Sequence, residues 1–409
     1  MLTELEFAQR AADLGGQVYI VGGWVRDFFI GRAAYDKDYV ICGLSLEAFL
    51  GHFEAQAVGR QFPVFLMKIE GRICEVAFAR TERKKGRGYL GFEARFDSST
   101  TIEEDLYRRD TRMNSMAFRL PGMELVDPFG GRHDIAGGLI RATSEHFGDD
   151  PVRALRAARQ AAQLDFKIDP PTMELMAQCR GELAEEPSER ILAEAAKALE
   201  SPMPARFFEV LRDASILDAA FPELAALVGV EQPLEYHHGL DAFDHTMEVL
   251  AQTALQTRRP ETRFAALVHD LGKGATPREE WPHHYEHAAL GLQVLEAMNR
   301  RMTLPRPWMK LARFVVAEHM RIPKLKRAGA VVKLIQEIAR KALPPSEIAA
   351  VIRADSGKAP DFLERFDFYQ NALARARKRL KIPEALPEQE RAAWLTMRLA
   401  EEYSRLARR

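Results

Sequence analysis

The segment from residue 17 to residue 40, QVYIVGGWVRDFFIGRAAYDKDYV, decides the fold class. The apolar, β-branched run Gln17–Val21 predicts a strand, the glycine pair Gly22 and Gly23 follows it, and residues 24–30 have the pattern of a short helix. Paired glycines let the backbone approach an anion closely, and the free N–H groups of the next helix point towards that anion. The layout predicts a phosphate-binding turn, while a tight turn alone would also explain the glycines.

Two acids, Asp36 and Asp38, come next along the chain, on another predicted strand. Residues two apart on a strand project to the same face, so we expect the two carboxylates to lie side by side. Like charges held together favour a cation, and hard oxygen ligands favour Mg²⁺, which assists phosphoryl transfer. Glu75, on the predicted strand of residues 73–79, is a candidate third carboxylate. A surface position is the alternative for each of these acids.

The composition is that of a folded protein with more than one domain. At 409 residues the chain exceeds an ordinary domain of about 150 residues, and 47% of its residues are hydrophobic. Its 58 basic and 59 acidic residues leave a net charge of -1, so a nucleic-acid site has to be a local patch. Three cysteines without a CxxC pair argue against a disulfide framework. The acidic N-terminus and the lack of long apolar runs predict no export and no membrane insertion, and we expect a cytoplasmic protein.

Two patterns of secondary structure divide the chain. Strand-like runs separated by glycines and charged turns occupy the residues up to 135, whereas apolar residues recur at helical spacing from residue 150 onwards, as in the segment 264–271. Proline-containing breaks at 201–204, 231–233 and 344–345 interrupt the second part. We therefore expect an α+β head followed by all-helical domains, with edges near residues 135 and 232.

The order of the features in the first part resembles a known fold. A strand, a glycine pair, a short helix, an Asp-x-Asp strand and a later acidic strand are similar to the nucleotidyltransferase fold of the DNA polymerase beta superfamily. The motifs VGGWVRD at 21–27 and YDKDYV at 35–40 resemble those of class II tRNA nucleotidyltransferases, which are the CCA-adding enzymes and their poly(A) polymerase relatives. The resemblance implies Mg²⁺ at Asp36 and Asp38, CTP and ATP as substrates, and tRNA as the partner that is extended.

Further motifs of the head extend this resemblance. The segment DLYRRDTRMN at 105–114 is similar to the Arg-Arg-Asp motif of the family, which is associated with ribose recognition. An arginine fork suits phosphate, and an aspartate can accept a hydrogen bond from a 2′-hydroxyl. The basic segment 80–92 resembles the loop used for switching from C to A addition, and it also fits an ordinary mobile loop. The nucleotide-binding residues implied in the head are Gly22, Gly23, Arg26, Arg108, Arg109, Asp110 and Asn114.

The segment DDPVRALR at 149–156 resembles the Glu-Asp-x-x-Arg motif with which the family reads the incoming base. Asp150 and Arg153 offer acceptor and donor groups that match the Watson–Crick edges of C and A, and Arg156 lies one turn further along the same face. Helix capping alone would also explain Asp150. Asp149 stands where the family has glutamate, and Glu189-Arg190 resembles a further motif that we interpret as helix support.

Histidines are concentrated in the C-terminal half, where eight of the eleven lie between residues 237 and 355. Imidazoles clustered with acids on predicted helices favour a metal site, although a single buried histidine is more often structural. The pattern resembles that of HD-domain metal phosphohydrolases. The implied ligands of a divalent transition metal or Mg²⁺ are His245, His269, Asp270 and Asp355, with His287 and His319 as further candidates. The resemblance implies 2′,3′-cyclic phosphodiesterase, 2′-nucleotidase and phosphatase activities, as in a subset of bacterial CCA-adding enzymes.

The resemblance divides the chain into four parts. These are a nucleotidyltransferase head at 1–135, a helical neck and body that reads the nucleotide at 136–231, an all-α HD phosphohydrolase domain at 232–360, and a basic helical tail at 361–409. The tail, with its run of basic residues between 375 and 381, fits either helical packing or an additional RNA contact.

Three functional hypotheses follow. The first is template-independent addition of CCA to tRNA 3′ ends with release of pyrophosphate, together with phosphohydrolase activity in the HD domain. The second is an enzyme that adds only A or only CC, or a poly(A) polymerase, since these share every motif quoted, although the full loop at 80–92 favours addition of both C and A over CC alone. The third is an HD phosphohydrolase with an inactive RNA-binding head, against which the retained Asp36, Asp38 and Glu75 argue.

Overall fold

A computed structural model describes residues 1–34, 36–58, 64–86, 92–237 and 239–408. Two compact units make up the chain: Met1–Ala195 with Arg206–Ala220, and Ala196–Ala205 with Phe221–Arg409. Tyr35 of the YDKDYV motif and residues 87–91 of the predicted loop lie outside the described residues.

All of the strands in the described part of the chain lie in the first unit. They are β1 (Gln17–Val21), β2 (Asp38–Cys42), β3 (Gln56–Val58), β4 (Val64–Ile69), β5 (Arg72–Phe78), β6 (Thr81–Lys84), β7 (Phe92–Arg95), β8 (Ala117–Arg119), β9 (Glu124–Val126), β10 (Leu139–Ile140) and β11 (Lys167–Ile168). Its helices are α1 (Glu4–Asp13), α2 (Gly23–Ile30), α3 (Leu46–His52), α4 (Ile102–Tyr107), α5 (Gly131–Ala136), α6 (Val152–Leu164), α7 (Pro170–Gln178), α8 (Arg180–Leu183) and α11 (Leu217–Ala220). Helices α9 (Ser188–Glu200) and α10 (Pro204–Asp213) contribute residues to both units.

Seven strands form the main sheet, in the order β3-β4-β5-β2-β1-β8-β9. Strands β2 and β5 are parallel, and the other neighbours are antiparallel. In this register Asp38 lies opposite Val21 on one side and opposite Glu75 on the other. The end of β1 and both acidic positions therefore meet at one edge of the sheet.

The two faces of this sheet bury different side chains. On one face, Val18, Ile20 and Tyr39 pack with Phe7 of α1 and Phe49 of α3 in the larger core. On the other face, the alternate strand residues Tyr19, Val21 and Val40 pack with Ile102 and Leu106 of α4. The alternation of strand side chains thus separates a core covered by α1 and α3 from a second core under α4.

The predicted strand–glycine–helix unit is confirmed, with α2 starting one residue earlier than expected, at Gly23. The placement of Asp36 on a strand is wrong, because β2 begins at Asp38. Pairing with β1 ends at Val21, and Gly22 then turns the chain away with a positive φ of 74°, so residue 36 has no strand partner there.

In the second unit, helices joined by loops are the secondary structure of the described residues. Its helices are α12 (Pro222–Ala225), α13 (Leu234–His237), α14 (Ala242–Gln256), α15 (Pro260–Val268), α16 (His287–Met302), α17 (Arg306–Glu318), α18 (Ala328–Arg340), α19 (Pro345–Ser356), α20 (Asp361–Glu364), α21 (Phe366–Arg379) and α22 (Glu388–Ala407). A 3₁₀ helix, Leu271–Ala275, packs against α16 so closely that a Cβ atom on Gly272 would lie 1.8 Å from the His287 carbonyl oxygen. None of the helices in the described part of the chain is long and apolar enough to cross a membrane.

Candidate functional site

A cleft of about 760 Å³ in the first unit brings together most of the residues predicted for the head and body. Its lining includes the predicted residues Gly22, Gly23, Arg26, Asp38, Glu75, Arg108, Arg109, Asp110, Asn114, Asp150, Arg153 and Arg156. Eight arginines line the cleft against five acids, so its field is positive overall and suits a polyanion.

The turn after β1, which is predicted to bind phosphate, leaves little room for a side chain at Gly22. A Cβ atom on Gly22 would lie 3.3 Å from Nη1 of Arg109, so a larger residue would crowd that guanidinium as well as strain the backbone. The N–H groups at the start of α2 are free of side-chain caps, since no capping side chain binds them at Gly22. Arg26 of α2 donates through Nη1 to Oδ1 of Asn114 at 3.0 Å, which links the turn to the predicted sugar-binding motif.

The carboxylates of Asp38 and Glu75 are brought together by the parallel pairing of β2 with β5. The pKa of Asp38 is raised to about 6, because its carboxylate is desolvated in the cleft and because the charges of Glu75 and Asp36 oppose its ionisation more than Arg109 favours it. Asp36 itself is exposed and precedes the strand. A divalent cation would relieve this accumulation of negative charge, so the residues present fit the expected metal.

The predicted arginines of the 105–114 motif are held by a carboxylate that the sequence analysis did not assign to the site. Asp105 is fully buried and accepts bonds from Arg108 Nη2 at 2.6 Å and Arg109 Nη2 at 2.9 Å. Burial opposes its charged form, yet the two guanidinium groups hold its pKa at about 2. The spacing of three and four residues from Asp105 to the two arginines, at the end of α4, was the signal that could have identified it.

Asp110 is buried and uses both carboxylate oxygens within the protein. Oδ1 accepts from the Thr111 N–H at 2.8 Å and from Asn114 Nδ2 at 3.0 Å. Oδ2 accepts from Arg156 Nε at 2.9 Å and from Gln160 Nε2 at 3.2 Å. Although burial disfavours the charge, these donors, Arg156 foremost, hold the pKa of Asp110 well below its usual range. The residue predicted to bind the sugar thus connects its own motif to α6.

Asp150 both caps α6 and faces the cleft. Its Oδ1 accepts from the Val152 N–H at 3.1 Å, and its Oδ2 accepts from Arg190 Nη2 at 2.9 Å. Arg190, which the sequence analysis interpreted as helix support, therefore orients the side chain predicted to read the base. Arg153 donates to the His146 carbonyl oxygen, and its Nη2 lies 3.7 Å from Oε2 of Glu82 on β6. Glu82 also binds Arg108 and was not among the predicted site residues.

A second site lies inside the helical unit, where five helices bring the predicted HD residues together. His245 is on α14, His269-Asp270 follows α15, His287 begins α16, His319 follows α17 and Asp355 is on α19. His245 Nε2 lies 3.2 Å from Asp355 Oδ1, and His269 Nε2 lies 3.1 Å from Asp270 Oδ2. On the other side, Asp270 Oδ1 lies 3.2 Å from His319 Nε2 and 3.5 Å from His287 Nε2. All six predicted ligands therefore converge on one buried place.

The chemistry of this cluster fits divalent metal ions. The cluster contains two groups of potential ligand atoms, and within each group all the atoms lie within 4.8 Å of one another. One group comes from His245, His269 and Asp270, and the other from Asp270, His287 and His319. Asp270 belongs to both groups. Within the described residues, His269 Nε2 and Asp270 Oδ1 are buried without a well-formed hydrogen bond, which is what a metal-binding pair leaves free when no ion is bound.

Two neighbours of the cluster were not predicted. Lys273 is buried, and its Nζ lies 2.6 Å from Asp270 Oδ2. Lys273 also donates to the side chain of Gln232. The HDLGK sequence, with a lysine three residues after the aspartate, was the available signal for the first contact.

The comparisons with known proteins agree with this architecture. The model of the poly A polymerase head domain matches residues 18–141, that of the probable RNA and SrmB-binding site of polymerase A matches residues 165–227, and that of the HD domain matches residues 242–360. The multifunctional CCA protein of Nitrosococcus oceani is 40% identical over 369 residues, which are 89% of this chain and 86% of that protein. The protein of the same description from Pseudomonas fluorescens is 44% identical over 308 residues, 74% of each.

Solved structures share the fold. The CCA-adding enzyme of Bacillus stearothermophilus in complex with CTP has a TM-score of 0.65 at 23% identity, over 98% of this chain and 91% of that one. The Thermotoga maritima CCA-adding enzyme complexed with tRNA-CCA has a TM-score of 0.59 at 20% identity, over 98% of this chain and 90% of that one.

The fold and the two sites define a nucleotidyltransferase head joined to a helical HD domain. The chain belongs to the family of multifunctional CCA proteins. It is an enzyme for CCA addition by nucleotidyl transfer, with a phosphohydrolase HD domain, and both activities belong to metal-dependent families.

The raised pKa of Asp38 predicts a pH dependence of nucleotide addition that responds to the metal. Below a pH of about 6 the carboxylate is protonated and cannot bind a cation, so the rate should fall as the pH drops through that value. Because Mg²⁺ competes with the proton, a higher Mg²⁺ concentration should move the midpoint to lower pH. The measurement is the initial rate of C addition against pH at several fixed Mg²⁺ concentrations, with thermal melts at each pH as control. A midpoint that does not respond to Mg²⁺ would contradict this prediction.

Proposed function

We propose that this enzyme extends tRNA 3′ ends with two C and one A, using CTP and ATP, and that the HD site hydrolyses phosphate esters at RNA or nucleotide ends. The observation that carries the first part is the cleft in which a phosphate-binding turn, paired carboxylates and a ring of arginines occur together. Relatives of the same fold have been solved with CTP, with ATP and with tRNA-CCA, which supports these ligands.

In the proposed reaction, the tRNA 3′-hydroxyl attacks the α-phosphorus of the nucleotide. The new bond joins the 3′-oxygen to that phosphorus, the bond to the β-phosphate bridging oxygen breaks, and pyrophosphate leaves. Asp36, Asp38 and Glu75 would hold Mg²⁺, which when bound lowers the pKa of the hydroxyl and offsets the charge of the triphosphate. The turn at Gly22 and Gly23 would bind phosphate oxygens through backbone N–H groups.

The arginines of the cleft would orient the substrate. Arg109, held by Asp105 beside the turn, is placed to contact phosphate or sugar oxygens. Asp150 and Arg153 would pair with the Watson–Crick edge of the incoming base, and Arg190 orients Asp150 for that contact. We propose that Asp110 acts on the sugar side chiefly by holding Asn114 and Arg156, since its own oxygens are already used.

In the HD domain, we propose that His245, His269, Asp270 and Asp355 hold one divalent ion and that Asp270, His287 and His319 can hold a second. Asp270 would contribute a ligand to each ion, which is supported by its membership of both groups of potential ligand atoms. Lys273 would then stand beside the site as a cation for substrate phosphate. A transition metal suits the imidazoles and Mg²⁺ the carboxylates.

We further propose that the four parts predicted from the sequence have separate functions. They are a catalytic head at 1–135, a nucleotide-reading neck and body at 136–231, an HD phosphohydrolase at 232–360 and a tail at 361–409. Cys42, Cys74 and Cys179 form no disulfide within the described residues, which supports work in the reducing cytoplasm.

For the tail, we propose a contact with the tRNA backbone. Helices α21 and α22 are packed through buried residues such as Tyr369 and Leu399, so the tail is a folded part of the second unit. The last turns of α21 expose Arg375 and Arg379, which line a groove together with Arg398 of α22. Neither Arg375 nor Arg379 has a carboxylate partner among the described residues, so both are available to phosphate.

The separation of the two activities is testable with two variants that serve as each other's control. Asp38→Asn removes a metal-binding charge from the cleft and should lower C and A addition by roughly a hundredfold or more, while hydrolysis of a 2′,3′-cyclic nucleotide stays at the wild-type rate. Asp270→Asn should have the opposite effect. Both rates are measured on the same preparations. Normal C addition by Asp38→Asn would contradict the assignment of nucleotide addition to the head. Loss of both activities in a folded Asp270→Asn protein would contradict the division into two sites.

The tail contact predicts a change in the salt dependence of tRNA binding. The double charge reversal Arg375→Glu with Arg379→Glu should weaken tRNA binding and reduce the slope of log affinity against log salt by about one to two. The paired reversal Lys333→Glu with Arg340→Glu, at two exposed positions on α18, is the matched control with the same change in net charge. Equal effects of the two pairs would show a general charge effect rather than a contact at the tail.

A further inference from the structure

The N-terminal helix α1 lies outside the matched family region, which starts at residue 18, yet it contacts the segment that bears the catalytic acids. Several contacts hold this helix in place. Thr3 and Glu6 form a reciprocal capping box, and the Glu70 N–H donates to the Leu2 carbonyl oxygen at 2.8 Å. Phe7 is completely buried in the larger core. The start of α1 is therefore tied to the main sheet.

Glu4, the first residue of this helix, accepts hydrogen bonds from two residues of the acidic segment. The Tyr39 hydroxyl donates to Glu4 Oε1. The Lys37 ammonium donates to the same oxygen at 2.6 Å, and both side chains of that ion pair are mostly buried. The ring of Tyr39 is fixed in addition by an edge contact with Phe7 at 5.9 Å between centroids. One carboxylate thus holds the residues on both sides of Asp38.

Successive side chains on β2 point to opposite faces of the sheet, so Tyr39 and Asp38 lie on different faces. The Tyr39 side chain belongs to the larger core with Phe7, whereas Asp38 lies on the other face; the lining of the cleft includes both residues. Strand pairing with β1 begins only at Asp38, so the chain just before it has no partner in that strand to hold it. Lys37, in that position, is held instead by Glu4 and by the face of the Trp24 ring, 4.8 Å from its Nζ.

The positive charge of Lys37 could compete with a metal ion for the neighbouring carboxylates. Its ammonium lies on a flexible side chain between Asp36 and Asp38 in sequence, and either carboxylate would attract it. A lysine paired with those acids would occupy oxygens that a divalent ion needs. Glu4 supplies a different partner for the ammonium on the α1 side of the sheet.

We propose that Glu4 is a positioning residue for nucleotidyl transfer, which keeps the Lys37 ammonium away from the Asp36–Asp38 carboxylates and fixes the backbone that carries them. This inference rests on the proposed function of the cleft. It assigns a role in metal binding to a helix that precedes the family region, and it predicts that Glu4 affects the metal requirement and not only stability.

The direct test is the Mg²⁺ dependence of CTP binding at equilibrium, measured by dialysis with labelled CTP in the absence of tRNA. Glu4→Ala should raise the Mg²⁺ concentration that gives half-maximal CTP binding several-fold, and should lower kcat for C addition by about tenfold or more. Adding Lys37→Met to Glu4→Ala removes the competing ammonium and should return the Mg²⁺ requirement most of the way to the wild-type value. Glu4→Gln, which keeps an acceptor but not the charge, should be intermediate.

Two control variants separate positioning from stability. Asp13→Asn removes one exposed carboxylate from the other end of α1 and should leave the Mg²⁺ requirement unchanged. Ala11→Gly weakens α1 at a buried position two turns from Glu4 and should lower the melting temperature without moving the Mg²⁺ requirement. The proposal is overturned if Glu4→Ala keeps the wild-type Mg²⁺ requirement, if Ala11→Gly changes it equally, or if Lys37→Met gives no recovery. Failure of the wild-type enzyme to bind CTP with Mg²⁺ would instead overturn the proposed function of the cleft.

Discussion

The buried carboxylate of Asp110 is the interaction on which the arrangement of the nucleotide cleft depends. It joins the 105–114 motif of the head to α6, because its two oxygens are shared among Thr111, Asn114, Arg156 and Gln160. Removing an unpaired charge from water is costly, so a buried carboxylate requires donors and in turn orients them. The residues predicted to bind the sugar and those predicted to read the base are therefore fixed relative to one another by Asp110.

The same constraint recurs at the other acids. Asp105 orients Arg108 and Arg109, and Asp150 is oriented by Arg190. In the HD domain, Asp270 is the buried carboxylate around which His269, His319 and Lys273 are arranged. Burial lowers the pKa of His269, but the carboxylates of Asp270 and Asp355 together raise it above its usual value. Asp38 differs from these acids. Its neighbours Glu75 and Asp36 carry the same charge, and this excess of negative charge fits a metal ion in the cleft.

Local patterns in the sequence were sufficient to predict much of the molecule. The strand–Gly-Gly–helix unit, the α+β head and the helical remainder all rest on short-range spacing. The clustered histidines indicated a metal site, and its ligand set came from the resemblance to HD phosphohydrolases. Asp36 was misplaced because a strand boundary depends on where the partner strand stops, and pairing with β1 stops at Val21, two pairs before residue 36 would be reached. Three residues that contact the sites were not assigned to them: Glu82, Arg190 and Gln232. Their site partners lie 26 to 71 positions away in sequence, and the position of Glu82 also depends on the β6–β7 hairpin. Glu4 was missed for the same reason, since nothing near it in sequence indicates Lys37 and Tyr39 as its partners.

The most direct test of the account is incorporation of labelled CTP and ATP, separately and together with Mg²⁺, into a tRNA transcript that lacks its terminal CCA, resolved at single-nucleotide length. The account predicts that CTP alone extends the transcript by two residues, and that CTP with ATP extends it by three, ending in A. Extension by A alone, by C without a following A, or by a long run of A would contradict full CCA addition and would indicate a partial-addition enzyme or a poly(A) polymerase. No extension at all would contradict the assignment of the cleft and would leave the HD site as the active part of the chain.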